Sequence, residues 1–502
     1  MMERPAETAE VMWTRMSAER SNLMSQVESY ASMTLPKICL PDGVTTENAT
    51  FTNEYQSIGA QAVNHLANKL MLAMFAPSRP SFRLVPTDSL RRQLVAEGID
   101  EDDISPVLAE AERSSARELD ARGQRPKLYS ACKHLIVTGN VLMHTPKEGI
   151  RIMGMRYWCV KRDVNGKLHT LIKREVIKAD ELEPDLQQFA SSAQADTEVS
   201  LYTIVRRRGK KYEEEIWVGE RKLPDTYSST YSEDDNPWHV LTWDLGDDSD
   251  YATGLVGEYA ADFERITAMS EAVSDASILG LDVRYLVDAT ASTSVEALKR
   301  GRPGDYIPGR KGDIDPVVGG NPQMLAAADV VLQRYEKRIA QAFILHSAIV
   351  RSAERVTAEE IRMVAQELEA SLGGVYSSLA GTMQSAVAKW LLRSVALPFD
   401  SKLLNIAIVT GLDALSRNGD LEALQRGLEI LAKVQMLPPD LQARIKMDKL
   451  ASKVGQGVGY DLSSVLMSDE EYQQAQTQAA AARSAEAGVT AQAEQAAQSQ
   501  GM

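Results

Sequence analysis

The chain is short of the residues that build reactive or metal-binding centres. Its 502 residues hold three cysteines and six histidines. Cys39, Cys132 and Cys159 form no C-x-x-C pair, which excludes a thiol redox motif or zinc ribbon and points to a reducing compartment. His65, His134, His144, His169, His239 and His346 show no H-x-x-x-H or other metal spacing, so core or surface roles are expected of them. No run approaches the ~18 apolar residues of a membrane span. The first residues lack the basic-then-apolar plan of a secretory leader, so a protein made and kept in cytosol, with no membrane partner, is expected. G-x-S-x-G and cysteine–histidine signatures are missing as well. Gly455, Gly457 and Gly459 follow no strand and precede no G-K-[ST], so they read as a flexible exit and not as a phosphate loop. No catalytic residue, cofactor or metal is therefore assigned. No Walker-type motif is present, so the chain carries no recognisable ATP-driven motor of its own.

Basic charge is also in deficit. A net charge of −15 argues against a protein that grips DNA over its whole surface, since phosphate binding needs clustered Lys and Arg. It does not exclude weaker, local contact with nucleic acid through a few basic residues. The remaining composition, 44% hydrophobic and 25% charged, is globular, and the length exceeds what one core organises, so two or more modules are expected.

The pattern predicts an α+β, mainly helical protein. Ile58, Ala62, His65, Leu66, Lys69, Leu70, Ala73 and Met74 recur at helical spacing, stopped by Pro77 and Pro80. A helix over 128–137 should exit near Gly139-Asn140 into the strand-like Val141-Leu142-Met143. Asn165-Gly166 and Gly209 each sit between strand-like runs and predict hairpins. Beyond Asp250 long helices take over. One is expected over 255–280 and another over 322–345, separated by a turn-rich insert with strand-like Tyr285-Leu286-Val287. Thr357 and Glu360 fit a capping box that opens a helix running to Ala396, bent at Gly373-Gly374. Residues 401–458 read as several shorter helices. Past Glu471 the Gln, Ala, Ser, Glu and Thr content is too poor in bulky apolar groups to order the chain.

Three stretches, GAQAVNHLANKLMLAMF (59–75), LIVTGNVLM (135–143) and ERVTAEEIRMVAQELEASLGGVYSSL (354–379), resemble the portal, or head-to-tail connector, proteins of short-tailed T7-like double-stranded DNA phages. The likeness runs from about residue 10 to about 470. It implies a portal fold with a wing (1–254), a stem helix pair (255–281 and 321–345) around a clip (282–320), and a tunnel loop (346–356). A long kinked wing helix (357–397), a helical crown (398–466) and a Gln/Ala-rich tail (467–502) complete it. The implied protein is a virion component assembled in host cytoplasm, a dodecameric ring that nucleates head assembly and passes the genome in both directions. Its implied partners are further copies of itself, the terminase motor, tail adaptor and tail tube proteins, major capsid and scaffolding proteins, and double-stranded DNA in the channel.

Within that frame Arg351 and Arg355 are the candidates for DNA contact, because they lie in the basic break between long helices. Lys299, Arg300, Arg302, Arg310 and Lys311 form a basic cluster suited to docking an acidic motor or adaptor surface. A solvated, turn-rich loop explains the same charges equally well. Gly373 and Gly374 are the expected hinge. The rival class is a metal-dependent DNA-processing enzyme built on Asp244, Asp247, Asp248 and Asp250, against a turn that caps the helix from 255.

Overall fold

Apolar residues at every third or fourth position build the first helices, α1 (Ala9–Glu19), α2 (Ser21–Met33) and α3 (Ile58–Met74). Strand β1 (Phe82–Pro86) is followed by α4 (Asp88–Glu97), α5 (Glu101–Ala121) and α6 (Arg125–Thr138). This computed structural model describes residues 7–44, 48–49, 55–77, 80–98, 101–190, 197–281, 283–290, 292–318, 322–345, 358–393 and 404–408. Beyond these it describes 429–430, 432–433, 450 and 453–454, all helical. Residues 1–411 form one compact unit and 412–502 a second.

Period-two alternation then produces sheets. β2 (Asn140–His144) lies between β3 (Arg151–Met153) and the later β10 (Trp238–Thr242) in a three-stranded sheet. β4 (Trp158–Arg162) and β5 (Leu168–Lys178) pair antiparallel around Gly166, whose φ of 72° suits the turn. After the short α7 (Pro184–Gln187), β6 (Glu198–Arg208), β7 (Lys211–Val218) and β8 (Arg221–Lys222) extend the meander. β9 (Ser229–Ser232) pairs with β7. α1 lies on this sheet: Met12, Trp13 and Met16 bury against Cys159, Ile172, Tyr202, Ile204 and Trp217.

The long helices follow. α8 (Leu255–Glu258) and α9 (Ala260–Leu281) replace the single helix expected over 255–280, because the chain breaks step at Tyr259. β11 (Val283–Val287), α10 (Val295–Arg300) and β12 (Ile314–Val318) form the insert, with β11 and β12 paired antiparallel. α11 (Pro322–Ala342) runs back along α9. The next helical stretch is divided into α12 (Ala358–Leu372), α13 (Val375–Leu379), a π turn at Ala380–Gln384 and α14 (Ser385–Leu392). α3 is the centre of the body, buried on nearly every side and in contact with α6, α11 and α12.

The division after α12 falls at Gly373, which adopts φ +57°, while Gly374 keeps a helical φ of −59°. An added Cβ meets nothing within 4 Å at either position, so backbone preference alone decides the effect of substitution. Gly373→Ala is expected to destabilise by about 1 kcal/mol, and Gly374→Ala to stabilise by about 0.5 to 1 kcal/mol. Opposite shifts in melting temperature from two adjacent glycines check this; shifts of the same sign contradict it.

The expectation of helix throughout 401–458 is corrected at its start. Leu404–Ile408 is a strand, β13, paired antiparallel with β1 from Phe82↔Ile408 to Pro86↔Leu404. Leu404, Ile406 and Ile408 turn inward and alternate with exposed Asn405 and Ala407, a period of two that no helix supports. On the other side of β1, the Leu84 amide donates to the buried Glu112 carboxylate at 2.9 Å. Pro86 has no amide to offer.

Candidate functional site: an exposed helical hairpin and its joint

α9 and α11 are antiparallel, since the start of one meets the end of the other. Arg338 reaches Asp262 at 3.2 Å, and the Phe343 ring stands edge-on to Phe263 and Tyr259 at 5.7 and 6.1 Å. At about 1.5 Å per residue each rod is roughly 30 Å long. Only the base is anchored: Phe263, Ile266, Ile339 and Phe343 are fully buried. Farther out the apolar side chains lie open, with Met324 at 71%, Ile278 at 63% and Tyr285 at 65% exposure.

One acid of the outer insert gathers four donors. Asp313 accepts from the Ser292 and Thr293 amides at 3.1 and 3.0 Å and from their hydroxyls at 3.2 and 2.7 Å. These bonds, that from the Thr293 hydroxyl first, hold its carboxyl below the usual range. The Thr293 hydroxyl oxygen in turn accepts from the Arg310 amide at 2.9 Å. Lys299, Arg300, Arg302, Arg310 and Lys311 are therefore carried on a built loop and are all exposed. Arg300 pairs with Glu296 at 3.6 Å, and the Arg302 amide donates to Asp305 at 2.7 Å. Arg351 and Arg355, with the capping-box Thr357, lie outside the described residues.

The hairpin joins the body at a joint that the sequence did not announce. Gly139 ends α6 at φ 75°, and an added Cβ there would stand 2.5 Å from the Gly254 nitrogen. A Cβ on Gly254 would stand 2.6 Å from the Ile136 carbonyl oxygen. The two backbones touch because both residues are glycine. Beside them, fully buried Asn140 donates to the Ala252 and Thr138 carbonyls at 2.7 and 2.9 Å and accepts from the Ala252 amide at 2.9 Å. One amide side chain thus welds the exit of α6 to the entry of α8 and α9.

A second tie crosses from α3 to α12, where buried Lys69 contacts Glu367 at 2.8 Å. One turn earlier, His65 donates to the Ile344 carbonyl at the end of α11, while burial first and then neighbouring Lys69 push its pKa down. Elsewhere burial pushes His134 and His239 down to about 4 and His144 to about 3. It raises Cys132 to about 12 and Cys159 to about 11, so both are neutral thiols at physiological pH.

The aspartate knot disperses. Asp250 receives Lys161 at 2.8 Å and the Arg162 amide at 2.7 Å, and Asp244 bridges to Thr253 through backbone. The expectation that these residues cap the following helix is corrected: the N-cap of α8 is Gly254, with no side-chain bond. Among the described residues no three His, Cys, Asp or Glu side chains are grouped to hold a metal ion.

The described residues thus form an anchored body that carries an open helical hairpin with a basic tip held by Asp313. The sequence profile described as "Bacteriophage head to tail connecting protein" matches residues 6–466, and this chain belongs to that family. The portal protein of Enterobacteria phage SP6 is 31% identical over 478 residues, covering 93% of this chain and 92% of that protein. The portal protein of Escherichia phage T7 is 28% identical over 492 residues, covering 94% and 90%. A solved neck of a native gene transfer agent particle covers 78% of this chain and 89% of its own at 12% identity, with a TM-score of 0.33.

Proposed function

We infer that this chain is the structural portal subunit of a short-tailed phage, a ring component at one vertex of the head through which the genome passes. The observation that carries the reading is likeness to portal proteins over nearly the whole chain. The open apolar side chains of α9 and α11 support it, because adjacent copies in a ring would cover them. In this reading the hairpin is the stem, residues 282–320 the clip, residues 346–356 the tunnel loop and residues 398–466 the crown. Twelve copies close the ring, terminase docks at the clip during packaging, and tail adaptor and tail tube proteins take its place afterwards. Capsid and scaffolding proteins surround the ring, assembly takes place in host cytoplasm, and the product resides in the virion. Lys299, Arg300, Arg302, Arg310 and Lys311 offer the clip's charge to an acidic partner. Arg351 and Arg355, repeated around the ring, contact DNA phosphates, and the break at Gly373 and Gly374 is the hinge behind them.

Electron micrographs of the purified chain are expected to contain closed rings with a central hole wide enough for a duplex. A monomer at all concentrations overturns the reading. Within assembled rings, Arg351→Glu with Arg355→Glu is expected to reduce packaged or retained DNA at least about tenfold, as lost phosphate contacts require. Unchanged packaging, retention and ejection remove the two arginines from the channel wall.

A further inference from the structure

Tyr306 stands clear of the outer insert: its exposure is 103%, so no neighbour shields any part of the ring. The backbone that carries it is nevertheless pinned on both sides. Before it, the Asp305 amide donates to the Arg302 carbonyl at 3.0 Å, and the Arg302 amide donates to the Asp305 carboxylate at 2.7 Å. Pro303 and Gly304, the latter at φ +100°, are the corner residues such a turn favours. After it, Ile307 packs on Gly301, where an added Cβ would stand 2.7 Å from the Ile307 Cδ1. Gly309 lies against Thr293, whose hydroxyl also holds the Arg310 amide. The ring is thus free while its stalk is fixed.

The surroundings of that ring are basic. From Leu298 to Lys311 the loop sets Lys299, Arg300, Arg302, Arg310 and Lys311 against the single acid Asp305, a net charge of +4. Tyrosine and arginine are the side chains that most often anchor protein interfaces, and a ring presented on a fixed stalk loses less entropy on docking. Binding of a single nucleic-acid strand uses a groove with a row of rings. Here one ring projects from a loop whose other residues, Ile307 apart, are themselves exposed. One ring amid so much charge buries too little apolar area for a permanent joint and suits a partner that docks and leaves.

We propose that Tyr306 is the anchor of a reversible docking surface, its ring entering an apolar pocket on the packaging motor while Arg302, Arg310 and Lys311 meet carboxylates around that pocket. This deepens the portal reading and rests on it for the motor as partner.

Binding of purified terminase from the same phage to rings of the full chain tests the anchor, with ring closure checked for each variant by electron microscopy. Tyr306→Ala is expected to weaken binding about thirtyfold or more, mainly through faster dissociation, the loss that marks an anchor residue. Tyr306→Phe keeps the ring and is expected to stay within about threefold of the unsubstituted chain. Arg302→Gln with Arg310→Gln and Lys311→Gln is expected to slow association and flatten its dependence on salt. Rings that ignore terminase before any substitution overturn the proposal. So does a Tyr306→Ala chain that no longer closes rings, since a second copy is then the occupant. A loss confined to binding of the tail adaptor, or of a labelled single-stranded oligonucleotide, overturns it as well. A chain that forms no rings at all overturns the portal reading and this proposal with it, whereas sound rings that hold terminase equally with and without Tyr306 overturn the anchor alone.

Discussion

Asn140→Leu is expected to cost roughly 3 to 4 kcal/mol, one of the largest losses any single side chain here can produce. The side chains are close in size, so packing changes little. What changes is that the Ala252 amide, the Ala252 carbonyl and the Thr138 carbonyl lose their partner in a place water does not reach. Each stranded backbone group costs about 1 kcal/mol or more. Asn140→Asp provides the internal check, since it keeps the acceptor for the Ala252 amide but turns a donor toward two carbonyls into a repelling oxygen. Urea unfolding followed by tryptophan fluorescence measures both. A midpoint unchanged by leucine would mean that the joint is held by the Gly139 and Gly254 contact alone.

The Lys69 and Glu367 pair is expected to be asymmetric. Lys69 is 1% exposed whereas Glu367 is 35% exposed. Glu367→Ala removes an ion-pair partner of a buried ammonium and is expected to destabilise by about 3 kcal/mol. Lys69→Met removes the buried charge itself and leaves Glu367 with access to water, so its cost is expected below about 1 kcal/mol. The double variant should therefore be more stable than Glu367→Ala alone. Equal losses from both single changes would show that the pair is valued for its mutual bond and not for relief of a stranded charge.

Local signals made much of the fold legible. Gly139 and Gly166 stand in left-handed turns where a helix exit and a hairpin were read, and Gly373 interrupts the long helix. The seam of α3 and the helices α9 and α11 follow from spacing, while the pairing of α9 with α11 was implied by the resemblance. What stayed hidden depends on partners far away in sequence. Asn140 is one polar residue in an apolar run, and its importance lies in Ala252. Leu404–Ile408 is too short to distinguish from a helical turn until Phe82–Pro86 is beside it. The N-terminal helices take their partners from far along the chain: α1 lies on the meander sheet, and α2 packs against α6, α8 and α9. Of the candidate site, the basic residues of the outer insert were visible as composition. The left-handed turn at Ile344, with φ +57°, was invisible for the opposite reason, since its residue type predicts continuation.

The pairing of β1 with β13 also sets a timetable. Phe82 leaves the ribosome long before Ile408, and at about 5 to 20 residues per second the interval is on the order of half a minute. During that wait one flank of β1 is already closed by Glu112 and by the missing amide of Pro86. Only the flank reserved for β13 stays open, so a nascent chain offers strangers a single short ladder and not two. A prematurely terminated chain would keep that ladder open for good, and would betray itself by clumping.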